Sequence, residues 1–321
     1  MLREKTLTIF GKKIMINHIR SRITPQKGII FLFVFLTLGF ILFIFMGAIT
    51  AGLITGSWDM AQNLSPTSDT AGGLATIRIM QMFQTTGMFI FPAILIALLA
   101  SKEPLSFLGF NQANARHMLL ATAMIIILLP GINLIASLNA EISVPEWMIQ
   151  MEESAEELMK RLLITDKYSI LALNLFMVAV LPAIGEELFF RSVLQKYFIK
   201  LTNNSAAGII ITSLIFSAIH MQFLGFIPRF ILGVIFGYLY LWTGSIKIPI
   251  LIHFVHNGLA VFLYYLVGVG VVPMDIENIG EPSHSWFLGI ASLILSGSLL
   301  WALWKDRVTN RVLPDQTSEG L

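Results

Sequence analysis

Eight apolar segments, near 29–54, 76–100, 117–139, 169–198, 205–223, 226–243, 247–269 and 285–304, follow one another along the 321 residues of the chain. A helix needs about 20 apolar residues to cross roughly 30 Å of hydrocarbon, where every backbone polar group must be satisfied within the protein. The expected fold is therefore all-α, a polytopic membrane helical bundle of about eight transmembrane helices occupying an integral membrane domain over 29–305. Composition agrees, because 56% hydrophobic and 12% charged residues with a mean hydropathy of +0.78 lie outside the range of soluble domains.

The basic residues set the orientation. Seven Lys or Arg fall in the first 27 residues, inside a basic segment 1–28. The apolar run that follows is too long for the core of a cleavable signal peptide and reads as a retained first span. With the N-terminus in the cytoplasm, 15 of the 21 Lys and Arg lie on the cytoplasmic side, against Lys160, Arg161 and Lys167 outside. That split predicts N-in and C-in with an even span count, and a cytoplasmic tail over 306–321. The same bias fits a bacterial inner membrane. A net charge of +2 gives no reason to expect nucleic acid, and zero cysteines exclude disulfides, thiolate metal sites and a cysteine nucleophile.

One sizeable stretch stays out of the membrane. Over 141–168 the chain holds Glu146, Glu152, Glu153, Glu156, Glu157 and Asp166, with Met148, Met151, Leu158 and Leu162 at roughly helical spacing. An extracytoplasmic amphipathic helix is expected, its acidic face solvated in the plainer reading and forming a lid or gate in the sharper one.

The chemistry concentrates in the fourth segment. Glu186 and Glu187 are adjacent there, and Arg191 stands four residues after Glu187, the better orientation for a helical ion pair. Ionisable groups at membrane depth are costly and mark a functional site by default. Glu186, turned about 100° from its neighbour, faces a different environment, so one carboxylate can be structural while the other does acid/base work. The fifth segment adds Phe216 and His220, four apart, and the seventh adds His253 and Asn257, also four apart. Gathered in one polar chamber, these groups are the parts needed to activate water and hold an oxyanion during amide hydrolysis. At 1.5 Å per residue from the expected cytoplasmic ends, Glu186 is roughly 15 Å deep, His253 roughly 8 Å and His220 roughly 24 Å. Convergence then requires a kink, for which Pro182 is placed, or tilted helices.

The patterns E-E-x-x-x-R (Glu186, Glu187, Arg191), F-x-x-x-H (Phe216, His220) and H-x-x-x-N (His253, Asn257), in this order on successive apolar segments, resemble the CPBP intramembrane proteases, the group of the CAAX prenyl endopeptidases and the bacterial Abi, or bacteriocin-processing, relatives. The resemblance covers about 169–268, the core protease motif region. It implies an intramembrane endopeptidase acting on a membrane-associated or hydrophobic peptide or protein substrate. Glu186 aided by His220 would activate water, His253 and Asn257 would bind the oxyanion, and Glu187, Arg191 and Phe216 would be structural or orienting. Family members are described both as metalloproteases and as metal-free glutamate-dependent enzymes. The metal-free mechanism is the favoured reading, with Zn²⁺ on His220, His253 and Glu186 as the alternative, although no H-E-x-x-H pair occurs.

Other residues weigh less. His256 sits at a different helical angle from its neighbours, Arg78 and Arg229 read as snorkelling or pairing residues, and His18, His117 and His284 fall near loops, where polar surface is the default. A proton-coupled transporter would also place carboxylates and imidazoles in the membrane, but it predicts inverted repeats, and the sequence shows none. A catalytically silent membrane scaffold is the third class. The identity of the substrate, its prenylation and the oligomeric state are not written in these motifs.

Overall fold

A computed structural model describes residues 23–59, 71–283 and 285–307; most of the basic segment 1–28, nearly all of the tail 306–321, His18 and His284 lie outside it. The described residues are helical and contain no strand. The helices longer than one or two turns are α1 (Pro25–Thr55), α2 (Gly72–Ala100), α3 (Ala115–Ala140), α4 (Glu146–Leu163), α5 (Tyr168–Thr202), α6 (Ser205–Ala218), α7 (Phe226–Thr243), α8 (Lys247–Gly268) and α9 (Trp286–Lys305). Seven of them are long and apolar enough to cross a membrane. Each of the eight expected segments has its helix, but α6, with 14 residues, is the short one. It ends at Ala218, and the chain leaves the helix through a turn before His220.

Helix α1 lies at the edge and turns a stripe of small residues inward: Gly28, Gly39, Gly47, Ala51 and Gly52 are buried, while Ile30, Leu38, Phe45 and Leu53 are exposed as lipid-facing residues would be. The interior divides into two apolar clusters. One gathers Phe89, Ala93 and Ile96 of α2 with Phe189, Phe190 and Val193 of α5. The other joins Met124, Ile125 and Leu128 of α3 to Phe236 and Leu239 of α7 and Ile252 of α8. The polar residues of the motifs sit between them.

Helix α5 is 35 residues long, about 53 Å at 1.5 Å per residue, and exceeds the hydrocarbon thickness. It is not a uniform α-helix. Leu175–Val180 and Glu187–Gln195 are π-helical, flanking the segment Leu181–Glu186 that holds Pro182. Such wide turns recur at functional sites, where the i→i+4 ladder is interrupted. The α5–α6 connection follows from its asparagines: Asn203 adopts φ 51° as the left-handed C-cap and Asn204 accepts the Ala207 N–H as the N-cap of α6.

Gly233 and Gly237 on α7 are close-packing points. A β-carbon at Gly237 would lie 2.8 Å from Gln195 Oε1 and 2.9 Å from Ile209, and one at Gly233 would lie 3.0 Å from Ser213. Gln195 uses the approach to donate to the Gly237 carbonyl at 3.1 Å. Gly237→Leu is therefore expected to push α6 and α5 away from α7 and lower stability by about 1–3 kcal/mol, the usual cost of overpacking. A thermal melt of the purified protein in detergent checks this.

Two surface expectations change. The inner face of α4 runs through Met148, Glu152, Ala155, Met159 and Leu162, while Met151 is 40% exposed. The 3,4 spacing that includes Glu152 carries the face past Met151. His117 is not surface polar either: it is buried, and its Nε2 lies 3.1 Å from the Asp306 carbonyl oxygen and 3.2 Å from Asp306 Oδ2. A polar residue near a predicted loop is here the joint between the start of α3 and the end of α9.

Candidate functional site

Glu187 opens the second π-helical stretch of α5 and is fully buried, as is Arg191 one turn on. Arg191 Nη1 donates to Glu187 Oε1 at 2.9 Å, while Nη2 reaches the Gly233 carbonyl at 3.4 Å. The guanidinium lies 4.5 Å from the centre of the Phe216 ring and 5.4 Å from that of Phe236. A desolvated cation held against aromatic faces and paired with a carboxylate is fixed in orientation as well as in charge. The expected i,i+4 pair is present, with the rings as its cage.

Glu187 Oε1 has a second partner. His253 Nδ1 lies 2.8 Å from it, and because a carboxylate only accepts, Nδ1–H donates and His253 turns Nε2 the other way. Nε2 lies 3.9 Å from Glu186 Oε2. That gap is too long for a direct hydrogen bond. Both carboxylates of the Glu-Glu pair thus address one imidazole, Glu187 by a short bond from inside and Glu186, whose side chain keeps 11% of its exposure, from the open side.

His220 is oriented by the end of α6. Its own N–H bonds to Ser217 O rather than to Phe216 O, so the Phe216 carbonyl is left without its i+4 amide. His220 Nδ1 takes that place at 2.8 Å. A carbonyl only accepts, so Nδ1–H donates, and in the neutral ring Nε2 is then the free base. The Phe216 ring stands 5.2 Å from the His220 ring and 6.4 Å from the His253 ring, each edge to face, and so packs against both imidazoles. The four-residue spacing of F-x-x-x-H serves both contacts. His220 is within electrostatic reach of Glu186 and His253.

Asn257 is placed differently. Its Nδ2 donates to the Val178 carbonyl at 3.0 Å. Pro182, four residues after Val178, has no N–H to give that carbonyl. One N–H of Asn257 therefore closes the gap that the proline opens and ties α8 to the bend in α5.

The depth mismatch disappears with the observed boundaries. Measured along the helices at 1.5 Å per residue, Glu186 is about 24 Å from Thr202 and His220 about 22 Å from Ser205, on opposite arms of one hairpin. His253 comes level because the α7–α8 turn is covered: Ser245 and Ile246 are fully buried, Asn111 donates to the Gly244 carbonyl at 2.8 Å, and Ile246 N–H donates to the Gly109 carbonyl at 2.8 Å. Counting from Lys247 as though it stood at the membrane surface placed His253 too shallow.

Two residues of this neighbourhood escape the motifs. Arg229 bonds the Gln222 backbone and side chain and lies 3.8 Å from Glu152 of α4. Glu152 was expected on a solvated face, and the signal that could have placed it inward is its position four residues from Met148. Arg78 does pair, with Nε on Asn174 Oδ1 at 3.1 Å and Nη2 on the Leu162 carbonyl at 2.8 Å. His256 stays outside the cluster, its buried Nδ1 without a hydrogen-bond partner among the described residues.

The stretch that carries this geometry, residues 168–259, matches the family model described as Type II CAAX prenyl endopeptidase Rce1-like. The site lies in an Rce1-like segment. It holds all seven motif residues, Glu186, Glu187, Arg191, Phe216, His220, His253 and Asn257. The membrane-embedded CAAX protease MroQ of Staphylococcus aureus (strain USA300) is 35% identical over 112 residues, covering 32% of this chain and 45% of that protein. The protein YpbD of Bacillus subtilis (strain 168), named as uncharacterized, is 31% identical over 86 residues, 26% of this chain and 41% of its own length. The chain spans less than half the length of these curated relatives. No solved structure matches it. The apolar helices and the Rce1-like segment together make this an integral membrane protein.

Proposed function

We propose that the protein is an intramembrane endopeptidase, with Glu186, His220, His253 and Asn257 as its reacting groups, in a bacterial cell membrane. The observation that carries this reading is the buried imidazole of His253 bonded to Glu187 at Nδ1 and presenting Nε2 to Glu186 within the Rce1-like segment. A water molecule gives one hydrogen to Glu186 and the other to His220 Nε2, which turns its oxygen toward the scissile carbonyl carbon. As the C–O bond forms, Glu186 takes the proton. The developing oxyanion is held by His253 Nε2–H and by the second N–H of Asn257, and Glu186 returns its proton to the departing amine. In the donor role His253 carries protons on both nitrogens, and the charges of Glu186, Glu187, Arg191 and His253 then sum to zero, which suits a dry site.

Among the described residues no three His, Asp or Glu side chains are grouped so as to hold a metal ion, and His220, His253 and Glu186 do not form such a set. No step is therefore assigned to Zn²⁺. Incubation with 1,10-phenanthroline is expected to leave hydrolysis within twofold of the untreated rate, and loss of activity restored by added Zn²⁺ would replace the glutamate mechanism while keeping the protease.

CAAX stands in the description of the family model and in the name of MroQ, which makes a CAAX peptide the first substrate to try. The experiment is cleavage of a quenched fluorescent CAAX peptide, with and without an S-prenyl group, by protein reconstituted in liposomes. Glu186→Ala, His220→Ala, His253→Ala and Asn257→Ala are each expected to remain folded and lose hydrolysis. Loss of folded protein in all four would favour a scaffold whose polar cluster only fixes helix register.

A further inference from the structure

The chain between α6 and α7 is held from outside the membrane bundle, and His220 is its first fixed point. Directly after the imidazole, Met221 adopts φ 54°, a conformation that costs a non-glycine residue about 1–3 kcal/mol and persists only where the surroundings impose it. Ser217 Oγ donates to the Phe226 carbonyl at 2.6 Å and pins the two ends of the loop together. Between them, Arg229 Nη1 donates to the Gln222 carbonyl at 3.0 Å and Nη2 to Gln222 Oε1 at 2.7 Å. Gly225 makes this possible, since a β-carbon there would lie 2.2 Å from the Arg229 guanidinium.

The remaining anchors come from the opposite side. Glu152 Oε2 of α4 accepts the Leu224 N–H at 3.3 Å, its Oε1 lies 3.8 Å from Arg229 Nη2, and Trp147 stacks edge-on to Phe223 at 5.5 Å. Asn139, at the end of α3, donates to the Phe223 and Leu224 carbonyls. Helix α4 itself is fastened mainly at its far end: only Leu162 and Leu163 of its 18 residues are buried, and Arg78 and Asn174 both donate to the Leu162 carbonyl at 2.8 Å. Its other half turns Met148 and Glu152 inward and reaches the loop through Trp147 and Glu152. A carboxylate on an otherwise solvated helix, turned inward to bind one loop N–H and one guanidinium, is best explained by what that loop carries.

We propose that Glu152 and Arg229 are positioning residues for His220: the acidic outer helix closes over the loop and, through this pair, holds the imidazole against the Phe216 carbonyl with Nε2 directed at the site. The consequence for catalysis rests on the endopeptidase reading above, whereas the placement of His220 does not. With α4 docked, His220 is set to orient water, and with the pair broken the loop relaxes away from the strained Met221 conformation.

The test uses the full chain in liposomes with Glu152→Gln, Arg229→Gln and the two changes combined. Two readouts are taken, diethyl pyrocarbonate labelling of each histidine quantified by mass spectrometry, and hydrolysis of the quenched CAAX peptide. Each single variant is expected to speed labelling of His220 at least fivefold while that of His117 and His253 stays within twofold, and to lower kcat about tenfold with KM within threefold. The variant carrying both changes should lower kcat no more than about threefold beyond either single one, and in a His220→Gln background Arg229→Gln should change kcat by less than twofold. Unchanged His220 labelling in both single variants, or equal acceleration at every histidine, would overturn the proposal. A wild type that cleaves nothing, or a Glu186→Gln variant as active as wild type, would instead defeat the endopeptidase reading and leave the labelling to decide the role of the pair.

Discussion

Glu186→Gln should lower the rate of peptide hydrolysis at least about a thousandfold, near 4 kcal/mol of transition-state stabilisation, while the protein stays folded. Glutamine keeps the shape of the side chain and removes only its ability to take a proton. Among the described residues the Glu186 side chain has no polar partner nearer than His253 Nε2 at 3.9 Å, and it has the more open of the two carboxylates, so its replacement leaves the packing alone. His220→Gln should cost less, about a hundredfold, because it removes one of two groups that orient the water while Glu186 still takes the proton. The comparison is a single-turnover rate measured on both variants beside a melting curve. A Glu186→Gln protein that hydrolyses as fast as wild type removes the general base from the scheme.

The opposite result is expected one residue along. Arg191→Met leaves the fully buried Glu187 without its cationic partner, and breaking a buried pair by removing one member costs about 3–5 kcal/mol. Little folded protein should be recovered. Replacing both, Glu187→Met with Arg191→Met, removes the charges together and should be more stable than Arg191→Met alone, because no uncompensated ion remains inside. Hydrolysis should stay low in the double variant, since His253 Nδ1 loses the carboxylate that orients it at 2.8 Å. Stability and activity therefore separate in the double variant, and a double variant less stable than either single one would contradict a purely paired role for Glu187.

The all-helical membrane architecture was legible because hydrocarbon thickness and backbone satisfaction leave few alternatives to long apolar helices. The Glu187–Arg191 pair was legible for a similar reason, as spacing and orientation along one helix are local properties. What the sequence did not carry was height and rotation. The two π-helical stretches of α5 alter which residues share a face, and no propensity announces them. The depth of His253 depends on the segment around Gly109 and Asn111 covering the α7–α8 turn, a contact between residues more than 130 positions apart. Asn257 could be placed on the face of His253 from its spacing, but its bond to Val178 becomes visible only when the missing amide of Pro182 is set beside it. Glu152 was hidden by its neighbours: among the seven acidic residues of 141–168, burial selects the one that falls on the inner face.

The most direct measurement is isotopic. Protein reconstituted in liposomes without a pH gradient is given the CAAX peptide in water enriched in ¹⁸O, and the products are weighed. Wild type should yield a new C-terminal carboxylate carrying one ¹⁸O, and Glu186→Gln should yield intact peptide. Intact peptide from the wild type, together with a proton flux that appears when a pH gradient is then imposed and that Glu186→Gln abolishes, would show that the buried carboxylates and imidazoles carry protons across the membrane instead of adding water to a peptide bond.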